Sequence, residues 1–181
     1  MKLAIAIAVL AMVAAPAAAE TRFDAFAGVS AGVAVGTDAV DGNGDASALV
    51  SVRGGGLLRS DLAVYAEGWA RLCVDDRALG AGVRYWLVRK LWVSGAIGVA
   101  RRSVAPAGSG CFPDEFKRST GAWFSGQIGA DLLRRRYFSL DLALRANAEY
   151  YGEAFERFDD LEPTDGVLVP SVALEIGISF F

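Results

Sequence analysis

Residues 138 to 150 read Phe138-Ser-Leu-Asp-Leu-Ala-Leu-Arg-Ala-Asn-Ala-Glu-Tyr150, and an apolar or aromatic side chain occupies every second position. The intervening positions hold Ser, Asp, Ala, Arg, Asn and Glu. A β-strand separates two such sets because its successive side chains point to opposite faces. A helix would mix them. The stretch therefore predicts a strand with one apolar face and one mostly polar face.

The same alternation recurs along the chain, and we count eight strands in all. The other seven lie near residues 23–35, 46–58, 62–73, 79–88, 91–102, 120–134 and 167–181. Three connections are tight and basic: Arg59-Ser60-Asp61, Arg89-Lys90 and Arg134-Arg135-Arg136. The other four are longer, near residues 36–45, 74–78, 103–119 and 152–166. This alternation of long and short predicts an all-β fold, an eight-stranded antiparallel up-and-down barrel with its loops at one end.

The chemistry of the two faces separates a membrane barrel from a soluble one. The polar face carries Arg53, Glu67, Arg71, Arg84, Gln127, Asp131, Asp141, Arg145, Glu149 and Glu175, together with Trp69 and Trp123. The other face is almost entirely Val, Leu, Ile, Ala, Gly and Phe. Eight such stripes facing water would far exceed the apolar patches that soluble monomers expose, whereas lipid requires them. We therefore predict a transmembrane barrel with its polar face inside.

Aromatic residues at the strand ends predict girdles at the two membrane interfaces. On the turn side these are Phe23, Tyr85, Trp92, Tyr137, Phe138 and Phe180, and on the loop side Phe124, Tyr150 and Tyr151.

The first 19 residues have the pattern of a secretory signal peptide. Lys2 precedes an apolar stretch over residues 3–14, and three alanines at 17–19 precede Glu20. The stretch is shorter than the roughly 20 apolar residues of a membrane anchor, and an alanine triplet suits an A-x-A cleavage site. We expect residues 1–19 to be removed and residues 20–181 to form the barrel domain.

At this level the chain resembles the small outer-membrane barrels of the OmpA/OmpX-like type. The resemblance rests on the signal peptide, the eight alternating strands and a last strand, Val172-Ala-Leu-Glu-Ile-Gly-Ile-Ser-Phe-Phe181, that ends in an aromatic residue. It implies a location in the outer membrane of a Gram-negative-type bacterium, contact with lipid and lipopolysaccharide, and a C-terminal strand read by the barrel-assembly machinery. Phe181 departs from the pattern because it lies one residue beyond the apolar phase that ends at Phe180.

Four inward-pointing charges fall near half height and predict an interior charge network. Folding the third and fourth strands about residue 76 places Glu67 opposite Arg84. Folding the last two about residue 160 places Arg145 opposite Glu175. Opposite charges across a strand pair are favourable, and side chains fill an eight-stranded bore. We interpret the lumen as plugged, the alternative being a gated path for ions or protons.

One further pair opposes this pattern. Folding about residue 136 sets Asp131 beside Asp141. A one-residue shift would separate them. If they adjoin, we expect one carboxyl to stay protonated.

Composition excludes several classes of function. The 181 residues carry a net charge of -3, which offers no basic footprint for nucleic acid. The sequence contains no histidine, the side chain most used for acid–base catalysis and metal ligation near neutral pH. A serine would therefore lack its usual base, so we expect neither an enzyme nor a cofactor.

The segment Asp41-Gly-Asn-Gly-Asp45 resembles the first half of a calcium loop. It has Ala46 and Val52 where that loop needs glycine and glutamate. We interpret it as a solvated turn, and cation binding there stays open.

The loop end carries the remaining candidate site residues. Cys73 tops the third strand and Cys111 lies in the third long loop, and two cysteines in an exported chain predict a disulfide. Phe112 and Phe116 lie in the same loop among charged residues, where exposed aromatics can anchor a partner. These loops are candidates for contact with an unidentified surface partner.

These patterns favour a non-enzymatic outer-membrane barrel that serves envelope integrity or surface-loop interaction. A narrow channel or carrier of small hydrophobic molecules is the first alternative. A soluble periplasmic lipid-binding barrel is the second.

Overall fold

A computed structural model describes residues 24–37, 44–72, 76–104, 117–154 and 164–181. The strands are β1 (Asp24–Thr37), β2 (Gly44–Arg59), β3 (Leu62–Arg71), β4 (Asp76–Val88), β5 (Leu91–Val104), β6 (Lys117–Arg134), β7 (Phe138–Ala154) and β8 (Thr164–Phe180). Each pairs antiparallel with the next, and β8 also pairs with β1, so the sheet closes. The predicted eight-stranded up-and-down barrel is confirmed. The described ranges include no helix of the length and apolarity needed to cross a membrane.

The two faces of the barrel are disposed as the alternation predicts. Leu142, Leu144 and Ile176 point outward with 40%, 50% and 52% of their surface exposed. Glu67 and Arg145 point inward and are completely buried. A soluble lipid-carrying barrel needs the opposite arrangement, because its ligand lies against an apolar interior.

Each of the three tight turns follows a break in the ladder. The register shifts between Leu57 and Arg59, between Trp86 and Val88, and between Asp131 and Leu133. A bulge inserts one unpaired residue and bends the strand. At the second and third turns it leaves two consecutive apolar side chains exposed, Leu87 with Val88 and Leu132 with Leu133.

The aromatic girdles are formed in part. Tyr85, Tyr137, Phe138 and Phe180 are exposed at the turn end, and Phe124 and Tyr150 at the loop end. The prediction is wrong for Trp92 and Tyr151, which are completely buried inside the barrel. Successive side chains of a strand point to opposite faces. Each of these two residues directly follows an outward-facing residue, so both point inward. Phe23 lies outside the described residues.

Candidate functional site: the barrel interior

The centre of the barrel holds a network of two arginines and two glutamates. Arg53 on β2 pairs with Glu67 on β3 (Nε to Oε1, 3.0 Å) and with Glu175 on β8 (Nη2 to Oε2, 3.3 Å). Arg145 on β7 forms ion pairs with the same two glutamates. All four side chains are buried, and their formal charges cancel. We call these four residues the central network.

Arg53 is the member that the sequence-based prediction missed. It lies directly across from Glu67 in the β2–β3 register. The signal was present, because folding these strands about the tight turn at Arg59-Ser60-Asp61 brings residues 53 and 67 opposite one another. Short turns determine register more narrowly than long loops do.

The predicted pairing of Glu67 with Arg84 is wrong. Glu67 lies across from Gly80, and Arg84 lies across from Ala63. The prediction placed the connection between β3 and β4 at residues 74–78, whereas β3 ends at residue 71 and β4 begins at residue 76. The two strands therefore pair in a register that differs by four residues from the predicted one.

Arg145 and Glu175 meet despite a smaller displacement. Arg145 lies across from Ala173, and Glu175 lies across from Ala143. A separation of two residues keeps both side chains on the inner face, and diagonal neighbours remain within reach of long side chains.

Arg84 lies instead in an aromatic layer at the turn end. Its guanidinium carbon is 3.7 Å from the centre of the Trp92 ring, 5.2 Å from that of Phe26 and 5.7 Å from that of Trp86. Its Nη1 donates a hydrogen bond to Ser179 Oγ at 3.4 Å. Among the described residues no carboxylate forms an ion pair with Arg84. Stacking on aromatic faces suits the planar, weakly hydrated guanidinium.

Asp131 and Asp141 do lie directly opposite one another. Each carboxylate has a separate donor: Arg134 Nη1 is 3.3 Å from Asp131 Oδ2, and Ser179 Oγ donates to Asp141 Oδ2 at 3.1 Å. The one-residue shift that would separate them does not occur, since the bulge lies just beyond the pair, between residues 131 and 133.

A second aromatic and ionic layer lies at the loop end. Arg71 pairs with Asp76 at 2.6 Å and with Glu149 at 3.3 Å. The Tyr151 hydroxyl donates a hydrogen bond to Glu149 Oε2 at 2.6 Å. The rings of Trp69 and Trp123 meet edge to face, 6.0 Å apart. The central network is therefore enclosed by bulky side chains on both sides.

The described part of the chain contains no group of three or more metal-ligating side chains. Outside the barrel wall, the Asp61 carboxylate in the first tight turn accepts two hydrogen bonds from Arg59, at 3.0 and 2.8 Å. These bonds hold the pKa of Asp61 below its ordinary value.

Several predicted features lie outside the described residues. They are the segment 1–19, Cys73, Cys111, Phe112, Phe116 and most of the segment 41–45. The disulfide between Cys73 and Cys111 and the surface contacts of Phe112 and Phe116 stay predictions.

Solved structures with similar backbones decide the fold type. Neisserial surface protein A is 16% identical, with a TM-score of 0.57 over 86% of this chain and 96% of its own. The chain has the fold of the small eight-stranded outer-membrane barrels. Ail of Yersinia pestis, solved in complex with the heparin analogue sucrose octasulfate, is 12% identical, with a TM-score of 0.52 over 87% of this chain and 99% of its own. No protein-family model and no curated protein matches the sequence.

Proposed function

We propose that this chain is a non-enzymatic barrel of the outer membrane of a Gram-negative-type bacterium, serving envelope integrity or presenting its loops to a surface partner. The carrying observation is the inverted disposition of its faces. Charged groups such as Glu67 and Arg145 are buried, and residues such as Leu144 and Ile176 form the exterior. Such an exterior is stable only in lipid.

The interior supports a plugged lumen over a channel. Among the side chains that the structure describes, formal charges balance in each layer: Arg53 and Arg145 against Glu67 and Glu175 in the centre, and Arg84 and Arg134 against Asp131 and Asp141 at the turn end. At the loop end Arg71 and Arg102 oppose Asp76 and Glu149. Buried charges are tolerated when they are paired, and a bore of this size is filled by side chains.

Planar-bilayer conductance tests the plug. We expect the wild-type protein to be silent and the double variant E67A/R145A, which removes one cation and one anion, to conduct. D61N, which removes a charge outside the barrel wall, is the matched control and should stay silent. Steady conductance of the wild-type protein would instead support the narrow channel or carrier.

The absence of an enzymatic site is also part of the proposal. It is supported by a sequence without histidine and by an interior in which Glu67, Glu149 and Glu175 are held in ion pairs with arginines. A deletion strain should keep its lipid A unchanged; an altered lipid A would indicate a lipid-modifying enzyme.

Contact with lipopolysaccharide is supported by three outward-facing arginines. Arg77, Arg101 and Arg118 are exposed on the outer face of the described strands, and all three lie at the loop end. Arg77 on β4 lies directly across from Arg101 on β5, and Arg118 on β6 lies diagonally across from Arg101. A row of guanidinium groups at this border suits lipid phosphates.

We expect R101S/R118S to reduce co-purifying lipopolysaccharide and R59S to leave it unchanged; equal retention in both variants would count against the assignment.

A further inference from the structure

Two of the tight turns are joined into one unit at the turn end. The Asp131 amide donates to the Lys90 carbonyl at 2.7 Å, and Arg134 Nη1 donates to the Arg89 carbonyl at 3.1 Å. The β4–β5 and β6–β7 turns are therefore held side by side. We call residues 87–91 and 132–137 the turn-end platform.

The platform presents four exposed cations, Arg89, Lys90, Arg135 and Arg136. None of them forms an ion pair with a carboxylate of the described residues. The neighbouring β2–β3 turn differs, because its exposed Arg59 is already paired with Asp61 at 2.8 Å. The platform is thus a local concentration of positive charge on a chain whose net charge is -3.

Exposed apolar side chains border these cations directly. They are Leu87, Val88, Leu91, Leu132, Leu133 and Tyr137. The two bulges are responsible, since they turn consecutive residues outward just before each turn. The Arg136 guanidinium lies 5.1 Å from the centre of the Tyr137 ring, at the junction of the apolar and basic parts.

We infer that the turn-end platform binds the phosphate headgroup of an anionic phospholipid in the membrane leaflet that faces the turns. Cations directly above an apolar border match a lipid, whose phosphate lies at the end of its acyl chains. An acidic polymer such as peptidoglycan would use the cations but leave the apolar border without a partner. The inference rests on the proposed membrane location and goes beyond it, because it assigns a partner to the end opposite the loops.

Native mass spectrometry of the protein purified from membranes tests this assignment. The protein is titrated with phosphatidylglycerol and with phosphatidylcholine of identical acyl chains, and the ratio of apparent affinities is measured. We expect a preference for phosphatidylglycerol that falls roughly fivefold for each cation removed, in R89S/K90S and in R135S/R136S. R59S is the matched control, and its preference should equal that of the wild-type protein. Excess glycerol phosphate should not displace the lipid, because it lacks the acyl chains.

Gel mobility before and after boiling separates this inference from the proposed function. A wild-type protein that does not fold into membranes would overturn the proposed function itself. A wild-type protein that folds but shows no preference for phosphatidylglycerol would overturn only the inference that the platform binds this lipid. The same holds if R59S lowers the preference as much as the platform variants do. Two further results would show that an anionic phospholipid is not the partner of the platform. One is displacement of the bound lipid by glycerol phosphate, and the other is binding of the protein to isolated peptidoglycan that the platform variants abolish.

Discussion

Glu67 is buried between Arg53 and Arg145, which approach it from two different strands. Removing it leaves two buried cations with Glu175 as their remaining central carboxylate. We expect E67A to lower the free energy of unfolding by about 3–5 kcal/mol, because a buried charge that loses its partner is expensive. Guanidinium unfolding in phospholipid vesicles measures the loss.

A double-mutant cycle separates the charge effect from lost packing. The variant E67A/R145A should lose less than the sum of its two single variants, since the residues share one network. D61N, in an exposed pair, should leave the transition unchanged. Additive losses, or a D61N effect as large as that of E67A, would contradict the network.

Gly129 on β6 provides the space for the ring on which Arg84 stacks. A Cβ at this position would lie 2.2 Å from the Trp92 ring, whereas a Cβ at Gly126, three residues earlier, would have no atom within 4 Å. We expect G129A to cost about 1–3 kcal/mol through overpacking and to change the tryptophan fluorescence. G126A is the matched control and should do neither. Equal stability of the two variants would show that Trp92 can move freely.

At the level of the strand, the last two residues have separate roles. Phe180 faces outward, whereas the Phe181 ring lies 6.0 Å from Phe26 and 5.9 Å from Trp86, with Arg134 at 5.1 Å. Phe181 thus follows the inward phase and covers the turn end of the interior. The aromatic residue in phase with the outer face is Phe180.

Deleting Phe181 should therefore destabilise the barrel without impairing its assembly. We expect a loss of roughly 1–2 kcal/mol, as for removing a partly buried ring from aromatic neighbours. The shortened chain would still end in an outward aromatic residue. F180A should show the converse, reduced membrane assembly with Phe181 still in place. Heat-dependent gel mobility reports assembly, and its loss on deleting Phe181 would assign the assembly signal to that residue.

For the whole molecule, the decisive property is the depth of each outward residue in lipid. Leu144 lies midway between the exposed aromatics Phe138 and Tyr150 of β7, and Leu168 lies across from Tyr150 near the loop end. We expect L144R to cost about 2–4 kcal/mol and L168R about 0–1 kcal/mol, because the cost of an arginine falls from the midplane to the interface. Unfolding measured in vesicles compares them. Two equally tolerated arginines would indicate a water-facing exterior.

The amino-acid sequence by itself determined the strand count, the alternation of turns and loops, and which face meets lipid. These follow from a period of two, since parity alone decides the face on which a side chain lies. Parity also indicated the inward charges, including Asp131 and Asp141, which the tight third turn places opposite one another.

Only the tertiary structure decided which inward charges meet. The odd or even position of a residue in its strand gives the face on which its side chain lies, but not its height along the barrel axis. That height depends on which residues form the loops and bulges and so do not pair with the neighbouring strand. A connection at 72–75 moved Arg84 away from Glu67 and onto Trp92, and the short first turn brought Arg53 into its place. Register is a property of two strands together, so ion pairing inside a barrel is settled only when the sheet closes.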